Sequence, residues 1–347
     1  MKVRDIAATD SRANGGDPPN QPLLSIVTPA FNETSNLPLL YQRLRKTLDG
    51  LDLRWEWVVV DDHSSDNTFE VLANLARGDD RIRAFRFARN FGSHTATRCG
   101  LHYAQGSCAV IMASDLQDPP ELLPQFLAKW SSGAQIVWAA RKQRKGEGLT
   151  TVGFSRLYYA LMRHVVGMKE MPATGADFFL IDRAIMDALG AFNESNVSTV
   201  ALITWMGFRQ DTITYDKEAR VHGRSGWSLE KKLKLAVDSI TSFTYLPIRF
   251  MSYLGLVVAL LGFLYAIVVV ANALARNPVQ GWSSLIVVVL LVGGIQMLMM
   301  GVLGEYLWRA LDESRQRPRY LIEASTEPLA QNPTDRPQVK TVDHDDL

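Results

Sequence analysis

Short apolar runs at residues 24–29, 55–60, 82–87, 109–113 and 136–140 alternate with helix-length segments such as 37–48 and 68–76. Runs of this length, bounded by turn-forming residues, predict strands, and strands alternating with helices predict an α/β domain with a mostly parallel sheet. Two much longer apolar stretches follow. Residues 250–274 carry no charge, and at about 1.5 Å per residue such a helix exceeds the roughly 30 Å hydrocarbon thickness of a bilayer. A second uncharged stretch, 277–304, is interrupted by Pro278 and Gly281, so its helix is expected to begin around Ser283. Core helices of soluble proteins seldom stay apolar on every face for this length, so the pair reads as a two-helix transmembrane hairpin.

The flanks set an expected orientation. Lys231, Lys232, Lys234 and Arg249 precede the first span, Arg309, Arg315, Arg317 and Arg319 follow the second, and the connection holds only Arg276. This bias predicts an inner-membrane protein with the N-terminal domain and both termini cytoplasmic. Trp282 and Trp308 suit interface anchors, while Gly293, Gly294 and Gly301 suit either close helix approach or lipid contact. Before the first span, Leu229, Leu233, Ala236, Val237, Ile240 and Phe243 recur at helical spacing. They predict an amphipathic helix that lies on the membrane or packs on the domain, and its place beside a span favours the membrane. The expected layout is a disordered lead-in (1–22), the α/β domain (23–228), the juxtamembrane helix (229–248) and the spans (249–308). A tail packed on the domain (309–323) and a disordered end (324–347) complete it. Asp5, Asp10 and Asp17 argue against a secretory signal at the start.

Charge and cysteine content add exclusions. With 37 Lys+Arg against 36 Asp+Glu, overall charge gives no footprint for a nucleic-acid partner. Cys99 and Cys108 have neither zinc-site spacing nor the number for a disulfide framework, and read as free thiols.

In open parallel sheets, ligands bind beyond the carboxyl ends of the strands. There the chain reads Pro29-Ala30-Phe31-Asn32-Glu33, then Asp61-Asp62-His63-Ser64-Ser65-Asp66, then Ser114-Asp115-Leu116-Gln117-Asp118-Pro119-Pro120. Neither a GxGxxG nor a P-loop string occurs, so a bound diphosphate would be met by a metal and basic groups. Asp115 and Gln117 offer alternate oxygen ligands suited to Mg2+ or Mn2+. Asp66, Asn67 and Asp118 read as helix caps, whereas Asp61, Asp62 and Asp115 at successive strand ends read as functional.

The ordered strings PAFNE, VVVDDHSSDNT, FARNFGSHTAT, SDLQDPPE, TGADFFLIDR, the segment around 220–227, two spans and LGEYLWRALDESRQRPRY resemble the family 2 glycosyltransferases over about residues 23–322. The closest likeness is to the polyprenyl-phosphate branch, which includes dolichol-phosphate mannose synthase and bacterial polyprenyl-phosphate glucosyltransferases. The resemblance implies a GT-A fold and an inverting transfer of a sugar from a nucleotide diphosphate, UDP preferred, to a polyprenyl phosphate such as undecaprenyl phosphate. It implies donor contacts at Pro29, Phe31, Glu33, Asp61, Asp62 and Arg89, and metal ligands at Asp115 and Gln117. Asp177 matches an active-site carboxylate, and Arg141, Arg220, Arg224 and Ser225 are candidates for the acceptor phosphate. His222 and Trp227 lie in the same cationic segment. A homo-oligomer such as a tetramer is also implied. Two departures stand out: Ala113 replaces the first carboxylate of the usual Asp-x-Asp, and Phe179 stands where many relatives have Arg. Ala113 motivates an alternative, a catalytically silent sugar-nucleotide scaffold in a glycan assembly complex.

Overall fold

The structure, a computed structural model, describes residues 24–51, 53–141, 177–192, 198–218, 241, 244, 246–274, 281–315 and 317–328. Strands β1 (Leu24–Ala30), β2 (Trp55–Asp61), β3 (Ile82–Phe87), β4 (Cys108–Ile111), β5 (Ile136–Arg141), β6 (Phe179–Asp182), β7 (Gln210–Tyr215) and β8 (Ile322–Ser325) form one sheet in the order β7-β5-β6-β4-β1-β2-β3-β8. The central run β4-β1-β2-β3 is parallel, β6 is antiparallel to both β4 and β5, β7 is parallel to β5, and β8 is antiparallel to β3.

The sheet is apolar on both faces because helices cover both. Along β2 the pattern alternates: Trp57 and Val59 enter one core, Val58 and Val60 the other. On the first side lie α1 (Leu37–Leu48), α2 (Thr68–Gly78) and α4 (Leu123–Ser131); on the second lie α3 (Ser93–Tyr103), α5 (Arg183–Ala191) and α6 (Thr199–Trp205). Helix α1 shows how sequence dictates this layer: Leu37, Leu40, Leu44 and Leu48 fall on one face and are fully buried. Each such leucine contributes about 1.5–3 kcal/mol of burial. Pro38 sits in its first turn, where no N–H is needed, and Arg45 and Lys46 in its last turn oppose the helix dipole.

Two further helices, α7 (Leu246–Leu274) and α8 (Trp282–Ser314), carry long apolar windows, none of whose residues is buried by protein. Long apolar stretches left exposed by the rest of the fold suit hydrocarbon rather than water. They touch where Gly255 meets Met299, whereas Gly293, Gly294 and Gly301 have nothing among the described residues packed over them, which of their two expected roles leaves lipid contact. The second helix also runs past the apolar stretch to Ser314, with Glu305 and Arg309 paired at 2.8 Å in its polar extension. Of the juxtamembrane helix expected over 229–248, residues 229–240 lie outside the described residues.

The tail corrects one boundary. Residues 324–327, expected within a disordered end, are ordered: β8 pairs with β3, and Glu327 meets Arg83 at 2.7 Å. A strand that pairs with a partner more than two hundred residues upstream leaves no local signature.

Gly106, between α3 and β4, packs against backbone, since a Cβ there would lie 2.7 Å from Ser25 N and 2.9 Å from Cys108 O. Gly106→Ala is expected to cost about 1–3 kcal/mol, read as a fall of several degrees in the melting temperature of the detergent-solubilised protein.

Candidate functional site at the carboxyl edge of the sheet

The parallel strands end along one edge, and the antiparallel ones start there: Ile111 is opposite Phe179, and Phe87 opposite Ile322. Each of β1, β2 and β4 is followed by a residue in left-handed backbone, Asn32 (φ 58°), His63 (φ 61°) and Leu116 (φ 61°). For His and Leu this conformation costs on the order of 1 kcal/mol and persists only where surrounding contacts impose it.

Those contacts zip the first two loops together. Asn32 N donates to Ser64 Oγ at 2.8 Å, Ser65 N donates to Asn32 Oδ1 at 2.8 Å, and Glu33 N donates to Thr68 Oγ1 at 2.9 Å. Asp66 accepts from Thr34 N and Thr68 N, so it bridges loops as well as capping α2; Asn67 makes no capping bond, contrary to expectation. Phe31 is half exposed beside this zipper, and the Glu33 carboxylate accepts from Asn36 Nδ2 at 2.6 Å. Pro29 lends its carbonyl to Ser114 Oγ at 3.2 Å, which joins the β1 and β4 ends.

Asp61 and Asp62 are both buried. Asp61 Oδ1 accepts from Ser64 N at 2.9 Å and from Ser64 Oγ, while Oδ2 faces Arg86 Nη1 at 3.3 Å. Asp62 accepts from the amides of Phe91 at 2.6 Å and Gly92 at 2.9 Å, at the start of α3. Burial pushes the Asp62 carboxyl up to about 6; the two amides oppose that rise, and neighbouring Asp61 adds to it. Arg89, expected at a phosphate, is exposed and stacks on Phe91, 4.3 Å from the ring centre.

On the other half of the edge, Asp115 is buried and accepts from Gln117 N at 3.2 Å. Gln117 donates its side-chain amide to Glu218 O at 3.3 Å, and its own carbonyl accepts from Glu218 N at 3.0 Å. Arg43, on α1, binds Glu121 at 2.7 Å and Glu218 at 3.0 Å, fastening the β4 loop to the segment after β7. Asp118, expected as a cap, is instead buried. Its Oδ1 accepts from the Tyr215 hydroxyl at 2.6 Å and lies 3.7 Å from Lys217 Nζ, while its Oδ2 has no hydrogen-bond partner among the described residues. Burial raises the Asp118 carboxyl above its usual range, against the pull of Lys217. Asp177 is largely exposed and pairs with Arg141 at 3.2 Å, joining the two residues expected at the reacting end. Phe179 is core: it packs on Trp138 with ring centres 4.9 Å apart, so its side chain serves the sheet. Arg220, Arg224, Ser225, His222 and Trp227 lie outside the described residues.

Sequence reasoning missed Arg86, Arg43, Tyr215 and Glu218. Arg86 alone carried a signal, as a charge inside a six-residue apolar strand.

A carboxyl raised to about 6 in the fold against about 3.8 in the unfolded chain makes the native state hold the proton more tightly. Its contribution to stability is present below about pH 4 and is lost as pH rises through about 6. Asp62→Asn is therefore expected to flatten the pH dependence of melting between pH 4 and 6.5, and parallel wild-type and variant curves would reject the shift.

Residues 25–190 match the model of glycosyl transferase family 2, and residues 246–309 match that of the GtrB C-terminal hairpin. The glycosyltransferase YkcC of Bacillus subtilis is 37% identical over 87% of this chain and 93% of its own. The bactoprenol glucosyl transferase of Shigella phage SfV is 35% identical over 86% and 97%, and the prophage bactoprenol glucosyl transferase homolog of Escherichia coli K12 is 34% identical over 86% and 98%. With a zipped acidic edge on an α/β sheet and two long, exposed apolar helices, the chain belongs to glycosyl transferase family 2 and is a GT-A membrane glycosyltransferase of the polyprenyl-phosphate branch.

Proposed function

We propose that the chain transfers a sugar, glucose by analogy with its bactoprenol-glucosylating relatives, from a nucleoside diphosphate donor to a polyprenyl phosphate at the cytoplasmic membrane face. The observation behind this reading is that one sheet edge gathers Asp61, Asp62, Asp115, Asp177 and Arg141, in a chain that also carries two helices long and apolar enough to cross a membrane.

The Asp61–Asp62 end, with half-exposed Phe31, takes the nucleoside: carboxylates accept from base and ribose donors, and Phe31 offers a stacking face. Pro29 and Glu33 shape this end, and Arg89 is within the same loop cluster. Asp115 and Gln117 take the diphosphate end. Among the described residues no three carboxylate, His or Cys side chains form a cage of their own. A divalent ion that meets one or two protein oxygens, with diphosphate and water completing its shell, fits this donor set. Asp115, Gln117 and the unpartnered Oδ2 of Asp118 are the oxygens at hand, and Ala113 removes one ligand without emptying the set. When bound, Mg2+ or Mn2+ would neutralise charge that develops on the leaving diphosphate.

The chain's own work is positioning. An oxygen of the lipid phosphate bonds to the anomeric carbon as the bond from that carbon to the diphosphate oxygen breaks, its electron pair leaving with the nucleoside diphosphate. The acceptor is already anionic, so no strong base is needed. Arg141, held by Asp177, presents a guanidinium to that phosphate, and Arg220, Arg224 and Ser225 lie in the cationic segment that precedes the first span. A homo-oligomer is part of the same proposal.

Incubating detergent-solubilised protein with radiolabelled sugar nucleotides, Mg2+ or Mn2+ and undecaprenyl phosphate should yield a chloroform-extractable glycolipid. Asp115→Ala is expected to lower the rate at least about 100-fold. Absence of labelled lipid with every common donor would overturn the assignment, and an unaltered Asp115→Ala rate would remove that residue from the mechanism.

A further inference from the structure

Strand β8 brings a second carboxylate to the guanidinium that contacts Asp61. Arg86 occupies the centre of a three-way contact: Nη1 donates to Asp61 Oδ2 at 3.3 Å, Nη2 to Ser64 O at 3.2 Å, and Nε to Glu323 Oε2 at 3.2 Å. His63 Nδ1 lies 3.0 Å from Phe87 O and 3.6 Å from the same Glu323 oxygen. The β3–β8 register is irregular between Arg86 and Phe87, and an irregularity of this kind turns a side chain out of the regular alternation. Tyr320 stacks on Phe87 at 5.2 Å, and Ala88 N donates to Leu321 O at 2.9 Å, so the tail is docked on both sides of this point.

This arrangement matters because of what Arg86 would otherwise do. Arg and a carboxylate favour a bidentate pair, with two parallel N–H bonds. Here a single nitrogen of Arg86 reaches Asp61, at a long 3.3 Å, while Ser64 and Glu323 hold the rest of the guanidinium. Remove the hold on Nε, and Arg86 can rotate to close both nitrogens on Asp61. The carboxylate would then be saturated by an internal cation and less able to accept from a nucleobase.

We infer that Glu323, supplied by the strand that follows the two apolar helices, is a positioning residue for the donor: it holds Arg86 off a bidentate pair with the buried Asp61 and so leaves acceptor capacity on Asp61 Oδ2 for the nucleoside. The inference rests on the proposed donor site. A second ion pair between β3 and the tail supplies a control, since Arg83 joins Glu327, just past β8, at 2.7 Å and also meets Glu56 at 2.6 Å.

The test uses full-length protein in detergent and calorimetric affinities for UDP, GDP, CDP and ADP, with inorganic pyrophosphate in Mg2+ as a probe lacking the base. Glu323→Gln is expected to weaken the tightest nucleotide about three- to tenfold while leaving pyrophosphate affinity within about twofold. Glu327→Gln should lower the melting temperature and leave nucleotide affinity alone. A Glu323→Gln protein that binds nucleotide like wild type overturns the inference, as does an equal loss in Glu327→Gln, which would make β8 a mere fastening. A wild type that binds none of the four nucleotides overturns the donor-site reading and this inference with it.

Discussion

Two buried carboxylates, Asp61 at the end of β2 and Asp62 just past it, sit side by side, and the rest of the site is arranged around that repulsion. Adjacent negative charges removed from water persist only where hydrogen-bond donors compensate them. The two are served by opposite sides of the sheet edge. Asp61 draws on its own turn through Ser64 and on the next strand through Arg86; Asp62 draws on the amides that open α3, where the helix dipole favours an anion. Neither set of donors is free to move without exposing a buried charge, so the loops after β1, β2 and β3 are locked as one body. The left-handed Asn32 and His63 are consequences of that lock, held by the bonds between the loops.

The other half of the edge uses a different device. There the β4 loop is fastened to the segment after β7 through the paired backbones of Gln117 and Glu218, with Arg43 bracing both from α1. Asp118 is drawn inward by Tyr215 and Lys217, leaving Asp115 as the carboxylate at the loop's turn. The two halves of the edge are thus braced independently, one through the loops after β1, β2 and β3, the other through the β4 loop and the residues up to Glu218.

Much of this was legible along the chain because it is local. Five strands, α1 and α2, both long helices and the acidic strand ends follow from apolar periodicity and from the rule that open sheets bind ligands at carboxyl edges. What escaped is non-local. Strand β6 is only four residues, FLID, and β8 is a half-polar IEAS that becomes a strand by pairing with β3. Helix α3 begins Gly-Ser-His-Thr without an apolar stripe as clear as that of α1. Asp118 looked like a cap because Pro-Pro follows it, yet burial against Tyr215 prevailed; Arg86 and Arg43 act through partners distant in sequence.

The threading of the chain ties this edge to the hairpin. Strand β7, the last before α7, forms one border of the sheet, and β8, the first after α8, forms the opposite border. Because β7 is parallel to β5 and β8 antiparallel to β3, the chain leaves β7 and enters β8 at the same edge, the one that carries Asp61, Asp115 and Asp177. The return from Ser314 to Ile322 is short, and even fully extended it reaches no more than about 30 Å. The polar end of α8 therefore lies within that distance of the β8 border, so the two apolar helices are tethered close to the edge that carries the acidic loops.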